Sequence, residues 1–163
     1  MQNTTGHGLQ AGSASQRLHH LWDKFAAVLS PLTPLVDLGV RLWVANVFFT
    51  SGMTKILSWS STLALFENDY TVPLLPPEIA AYVGTATELT LPVFLVLGLG
   101  TRVAAIALFI FNIVAATSYP DLSPIGLKDH QVWGLLMLVT IVHGPGKLSL
   151  DCGIQRKFFS YKF

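Results

Sequence analysis

The chain has 163 residues, of which 52% are hydrophobic and 12% charged, and its mean hydropathy is +0.54. A soluble domain carries about 25% charged residues, so this chain has too little polar surface to cover a globule in water and reads as one integral membrane domain. The net charge of +1 leaves no basic field for nucleic acid. A single cysteine, Cys152, excludes an intramolecular disulfide, a CxxC pair or a thiolate metal cluster, and the five histidines show no HExxH-like spacing, so no metal site is expected.

Residues 1–16 are polar, rich in Gly, Ser, Gln and Thr, and predict a disordered tail. No apolar core follows a basic start there, so the segment does not read as a signal peptide. Over 17–34, Leu18, Leu21, Trp22, Phe25, Val28 and Leu29 recur at helical spacing, with Arg17, His19, His20, Asp23 and Lys24 on the other face. That pattern predicts an amphipathic interfacial helix, or a cap packed on a bundle, stopped by Pro31 and Pro34.

Four apolar spans follow, at Leu35–Thr54, Ile79–Leu97, Arg102–Tyr119 and Gln131–His143. Roughly 20 residues cross a bilayer as a helix, so the last one is expected to begin nearer Leu127 or to sit where the bilayer is thin. The expected fold is an all-α integral membrane protein, a four-transmembrane-helix bundle over 35–151 with an N-terminal amphipathic helix and a cytoplasmic tail at 152–163. One set of loops holds Arg17, Lys24, Arg102, Lys147, Arg156, Lys157 and Lys162; the other holds only Lys55 and Lys128 among five acids. The positive-inside rule then places both termini in the cytoplasm. Residues 56–78 face outward and are too apolar for a plain loop, predicting a short helix and a Pro-rich turn at the outer interface.

Glu88 is the one charge between Ile79 and Leu97. A carboxylate in hydrocarbon costs roughly 3 kcal/mol on insertion scales, so it must be paired, protonated or facing a polar cavity. At about 1.5 Å per residue, Arg41 lies about 9 Å in from the cytoplasmic end, Asn46 about 16 Å, Glu88 about 14 Å and Asn112 about 15 Å. These four are the candidate ligand-binding or proton-relay residues, with Arg41 expected to reach Glu88. The two read as an ion pair fixing helix register, as a binding and proton-handling site, or as separate side chains snorkelling to the interfaces; Asn46 and Asn112 also read as interhelical hydrogen-bond glue. Arg41, Gly52 and Lys55 share one face, and Ala81, Gly84, Thr85 and Glu88 share another. Pro92 withdraws its amide from the ladder and frees the carbonyl of Glu88. Asp37 is expected to partner Arg41 at i, i+4, and His143 reads as a cap at a span end.

Arg41, the run Phe48-Phe49-Thr50-Ser51-Gly52-Met53-Thr54-Lys55, Glu88-Leu89, Gly98-Leu99-Gly100-Thr101-Arg102-Val103-Ala104-Ala105 and Gly144-Pro145-Gly146-Lys147-Leu148-Ser149-Leu150-Asp151 occur in that order. Together they resemble the DoxX family of small bacterial four-helix membrane proteins, over roughly Val36 to Asp151. The resemblance implies a bacterial inner-membrane location and a role beside redox chemistry, since the family takes its name from a membrane subunit of a thiosulfate:quinone oxidoreductase. Other members are linked to oxidative stress and sulfur compounds. Positions matching the family pattern are Arg41, Gly52, Lys55, Glu88, Arg102 and the turn from Gly144 through Gly146 to Asp151; no catalytic role follows for any of them.

Three functions compete. The first is a redox subunit with a quinone-like site near Arg41, Glu88 and Asn112, needing a protein partner or quinone alone. The second is a membrane scaffold docking a soluble partner through its basic surface and tail. The third is a small-solute carrier, which four spans without an internal repeat disfavour unless the chain forms a homo-oligomer.

Overall fold

A computed structural model describes residues 9–158, and all its regular elements are helical. They are α1 (Leu9–Leu29), a 3₁₀ turn (Ser30–Leu32), α2 (Thr33–Leu57), α3 (Trp59–Asn68), α4 (Pro77–Leu97), α5 (Thr101–Thr117), α6 (Pro124–His143) and α7 (Leu150–Phe158). The outermost parts of the expected polar tail and C-terminal tail, residues 1–8 and 159–163, lie outside the described residues.

Helices α2, α4, α5 and α6 form an antiparallel bundle, with α2 packed along α4 and α5 along α6. Val44, Ala45, Phe48, Leu95, Ala104, Ala105, Leu108 and Met137 fill its centre. Phe48 makes T-shaped contacts with both Phe111 and Trp133, at ring-centroid distances of 6.2 and 5.9 Å, which ties three of the four helices together. Outside, Trp43, Ile110, Leu135 and Val142 are all more than half exposed. An exterior this apolar suits lipid, where close packing rather than water exclusion holds helices together. The helical path Ser15–Leu57, α4 and α6 are each long and apolar enough to cross a membrane. Helix α5, at 17 residues, spans about 26 Å, slightly less than the usual core.

Turn chemistry explains most boundaries. Pro77 and Pro124 stand in first turns, where a missing amide costs nothing. Ser123 accepts from the Gly126 amide at 3.1 Å and caps α6, which starts at Pro124, earlier than Leu127. Gly98, at φ +66°, ends α4: its amide bonds to the Leu95 carbonyl and that of Leu99 to Phe94, a Schellman turn that needs a left-handed residue.

Two expectations are corrected. Helix α1 does end at Leu29, before Pro31, but Pro31 and Pro34 do not end the helical path as expected, because a 3₁₀ turn carries it into α2. They fall at the starts of the 3₁₀ turn and of α2, positions a helix tolerates, so the chain runs helical from Ser15 to Leu57. The 43 residues would measure about 64 Å, twice a hydrocarbon core. Helix α1 also begins at Leu9, inside the stretch expected to be tail; from Ser15 onward all its side chains are exposed, including the apolar stripe of Leu18, Leu21, Trp22 and Phe25.

The segment after α2 forms the expected short helix and Pro-rich turn. Ser58 leaves helical geometry (φ −132°, ψ 59°), and Thr62 Oγ1 lies 3.0 Å from the Lys55 carbonyl and 3.2 Å from that of Ser58, clasping the corner. Helix α3 then covers the first turns of α4. Phe66, Ala80 and Ala81 make a second small core with Trp59, Leu63, Tyr70 and Val72. Helix α2 therefore ends level with the middle of α4, and α3 occupies the space above it.

Candidate functional site

Glu88 is buried at 5% exposure, and its partner is Lys55, not Arg41. Lys55 Nζ donates to Oε2 at 2.7 Å, to Oε1 at 2.8 Å and to Ser51 Oγ at 2.9 Å; Ser51 Oγ in turn donates to Oε1 at 3.1 Å. All three ammonium protons are used. Ser51 and Lys55 are one turn apart on α2, so both aim at the same point on α4. Gly52 makes the approach possible: a Cβ there would lie 2.9 Å from Leu89 Cδ2 and 3.0 Å from Glu88 Cβ.

Above the ion pair lies a cavity of about 130 Å³ walled by α4, α5 and the cover formed by α3 and the following turn. Lys55 and Glu88 form one part of its lining, Phe66, Phe111 and Val83 contribute apolar walls, and Tyr70 and Ser118 also line it. Tyr70 stacks between Phe66 (4.8 Å) and Tyr119 (5.2 Å). Burial, and then the charge of Glu88, hold its phenol above the ordinary tyrosine range, so at neutral pH it keeps its proton. Ser118 is 2% exposed, and its hydroxyl has no hydrogen-bond partner among the described residues.

Arg41, at 1% exposure, serves a different end of the bundle. One guanidinium nitrogen donates to the Leu95 carbonyl at 3.0 Å and another to that of Leu148. It stands beside the last turn of α4, about 10 Å along that helix from Glu88, where a cation complements the helix dipole. Asp151 answers at the start of α5, accepting from the Gly100 and Thr101 amides at 2.8 and 2.9 Å and from Thr101 Oγ1 at 3.0 Å. Arg41 and Asp151 thus fasten the 144–151 segment across the α4–α5 turn.

The remaining candidates separate. Asn112 is buried, but it faces α6: its amide donates to the His130 carbonyl at 2.9 Å and its oxygen meets His130 Nδ1 at 2.7 Å. That is the interhelical glue reading. Asn46 is exposed, in a groove with Phe49, Pro92 and Val93 on the outer face of α2 and α4, so it does not join Glu88. Asp37 pairs with His143 at 3.2 Å rather than with Arg41. Arg102 lies over Gly144 and leans toward the Val142 carbonyl at 3.4 Å, while Gly146 closes over Asp37.

Sequence reasoning passed over Ser51, Tyr70, Ser118 and His130. Ser51 had a signal, its i, i+4 relation to Lys55. Tyr70 and Ser118 had none, because a turn and a helix end meet there only through the fold: the Thr71 amide bonds to the Ser118 carbonyl at 2.7 Å.

A family model described as DoxX matches residues 36–120. An uncharacterized protein of Haemophilus influenzae is 31% identical over 128 residues, covering 73% of this chain and 83% of its own length. No solved structure matches the chain.

Proposed function

The chain belongs to the DoxX family of membrane proteins, and on that premise we propose that it is the membrane subunit of a quinone-linked redox assembly, with the ring site in the cavity beside Lys55 and Glu88. The observation that carries the reading is Ser118. A buried hydroxyl left without a partner costs about 1–3 kcal/mol, and Ser118 is one of the residues that line the cavity beside the buried ion pair. A ligand that accepts hydrogen bonds there would relieve that cost.

The residues fit such a group. An apolar cavity of roughly 150 Å³ holds benzene, so at about 130 Å³ this one is slightly under the size of a six-membered ring and must widen a little to take a quinone. Phe66 and Phe111 supply apolar walls. Ser118 and Tyr70 are positioned to donate to carbonyl oxygens, and Lys55 can redirect one of its three bonds. Glu88 holds a proton-exchanging carboxylate away from bulk water. A bound quinone would supply two-electron, two-proton chemistry; electrons would come from a partner subunit. We place the chain in a bacterial inner membrane with both termini in the cytoplasm, following the distribution of lysine and arginine.

The test is affinity purification of the full chain in mild detergent, with bound lipidic cofactors and co-eluting proteins read together. Quinone should copurify with the wild type and fall several-fold with Ser118→Ala and with Ala115→Phe, which narrows the cavity. Folded wild type that carries no quinone and does not bind an added short-tailed benzoquinone removes the reading.

A further inference from the structure

A second cavity, of about 530 Å³, lies at the opposite end of the bundle from α3. Its walls are the α1–α2 joint, the start of α5, the 144–147 loop and α7. Arg102, Lys147 and Arg156 all line it, and among the described residues none of the three has a carboxylate within salt-bridge distance. Its one acid, Asp37, is already engaged by His143 at 3.2 Å and tucked beneath Gly146. Three unmatched cations around one concave space form a recess that favours an anion. Arginine supplies planar paired donors and lysine a compact charge, a combination suited to phosphate oxygens.

The surroundings indicate where that phosphate comes from. Val103 and Val142, each next in sequence to a lining residue, are more than 70% exposed, and Ile154 is exposed on α7. Apolar side chains beside a basic recess at the end of a membrane bundle match a lipid, with its headgroup in the recess and acyl chains along the helices. Basic pockets between membrane helices bind anionic headgroups in this way. We propose that this cavity is a binding site for a phosphate anion, carried by the headgroup of an anionic phospholipid, held by Arg102, Lys147 and Arg156.

The full chain is placed in nanodiscs containing phosphatidylglycerol and phosphatidylcholine, released, and its retained lipids are counted by native mass spectrometry. The wild type should retain phosphatidylglycerol in clear preference. Lys147→Gln with Arg156→Gln should weaken retention by roughly thirtyfold, given on the order of 1 kcal/mol for each of the two basic residues at a membrane surface. Lys128→Gln, at the other end of α6, removes a charge as well and should change nothing. Lys147→Arg with Arg156→Lys should restore binding, which separates lost charge from lost folding. A parallel arm titrates inorganic phosphate. If millimolar phosphate fails to displace the lipid, the headgroup is the ligand; if phosphate binds the detergent-purified chain and the glutamine variant loses it, the phosphate site stands with a soluble source. Equal retention by wild type and the glutamine variant, or no preference over phosphatidylcholine and no phosphate binding, overturns the proposal. None of these readouts involves the Glu88 cavity, so the quinone reading can fail independently.

Discussion

Lys55 Nζ stands 2.7 Å from Glu88 Oε2, with the two side chains only 15% and 7% exposed. Two opposite charges that would each be costly alone in an apolar bundle neutralise one another, and Ser51 completes the carboxylate's hydrogen bonding. Such a pair contributes less to net stability than its removal by halves would suggest, because breaking it leaves an uncompensated charge.

Glu88→Gln should therefore destabilise the bundle by about 3 kcal/mol, and Lys55→Gln by a similar amount. Joining the two should recover much of the loss, whereas Glu88→Gln with Arg41→Gln should be additive, since those residues share no contact. Unfolding of each variant in detergent measures the cycle. Additivity for Lys55 with Glu88 would show that they are not partners.

Asp151 caps α5 from a distant part of the chain. Asp151→Ala should cost about 1–2 kcal/mol, as cap removal does, and Asp151→Asn less, because the amide oxygen still accepts one bond. Thermal unfolding in detergent checks the order. A neutral Asp151→Ala would mean that the Gly100 and Thr101 amides find other acceptors.

Orientation can be read by labelling intact cells. Cys152 is a poor reporter, being only 7% exposed, so it is replaced by Ser. A membrane-impermeant thiol reagent should then mark Cys placed at Asn68, exposed at the end of α3, and miss Cys placed at Lys157, exposed on α7. The opposite labelling pattern would invert the proposed topology.

The helices themselves were legible, because apolar runs bounded by Pro and Gly leave little choice in a membrane. That Glu88 needs a partner was legible too, from its isolation among apolar residues. Its partner was not. Counting depth along each span treated Lys55 as a loop charge on the outer surface, which left Arg41 as the nearest cation. That count assumed each helix runs the full thickness of the bilayer. Helix α2 instead ends beside the middle of α4 because α3 folds over it, and this lowers Lys55 to the level of the carboxylate. Asn46 failed for a related reason: depth says nothing about which way a side chain faces, and position 46 falls on the lipid side of α2. The clasp made by Arg41 and Asp151 links residues too far apart for spacing to reveal.

That clasp also orders events during synthesis. Arg41 is made 107 residues before the Leu148 carbonyl it holds, and the first turn of α5 fifty residues before its cap. Until the 144–151 segment emerges, a buried guanidinium and two helix-start amides must be satisfied by water or headgroups at the membrane edge. The α4–α5 hairpin can insert early, yet it locks only when a much later stretch of polypeptide arrives. A nascent chain halted before Leu148 should thus hold its helices in the membrane with that end still open.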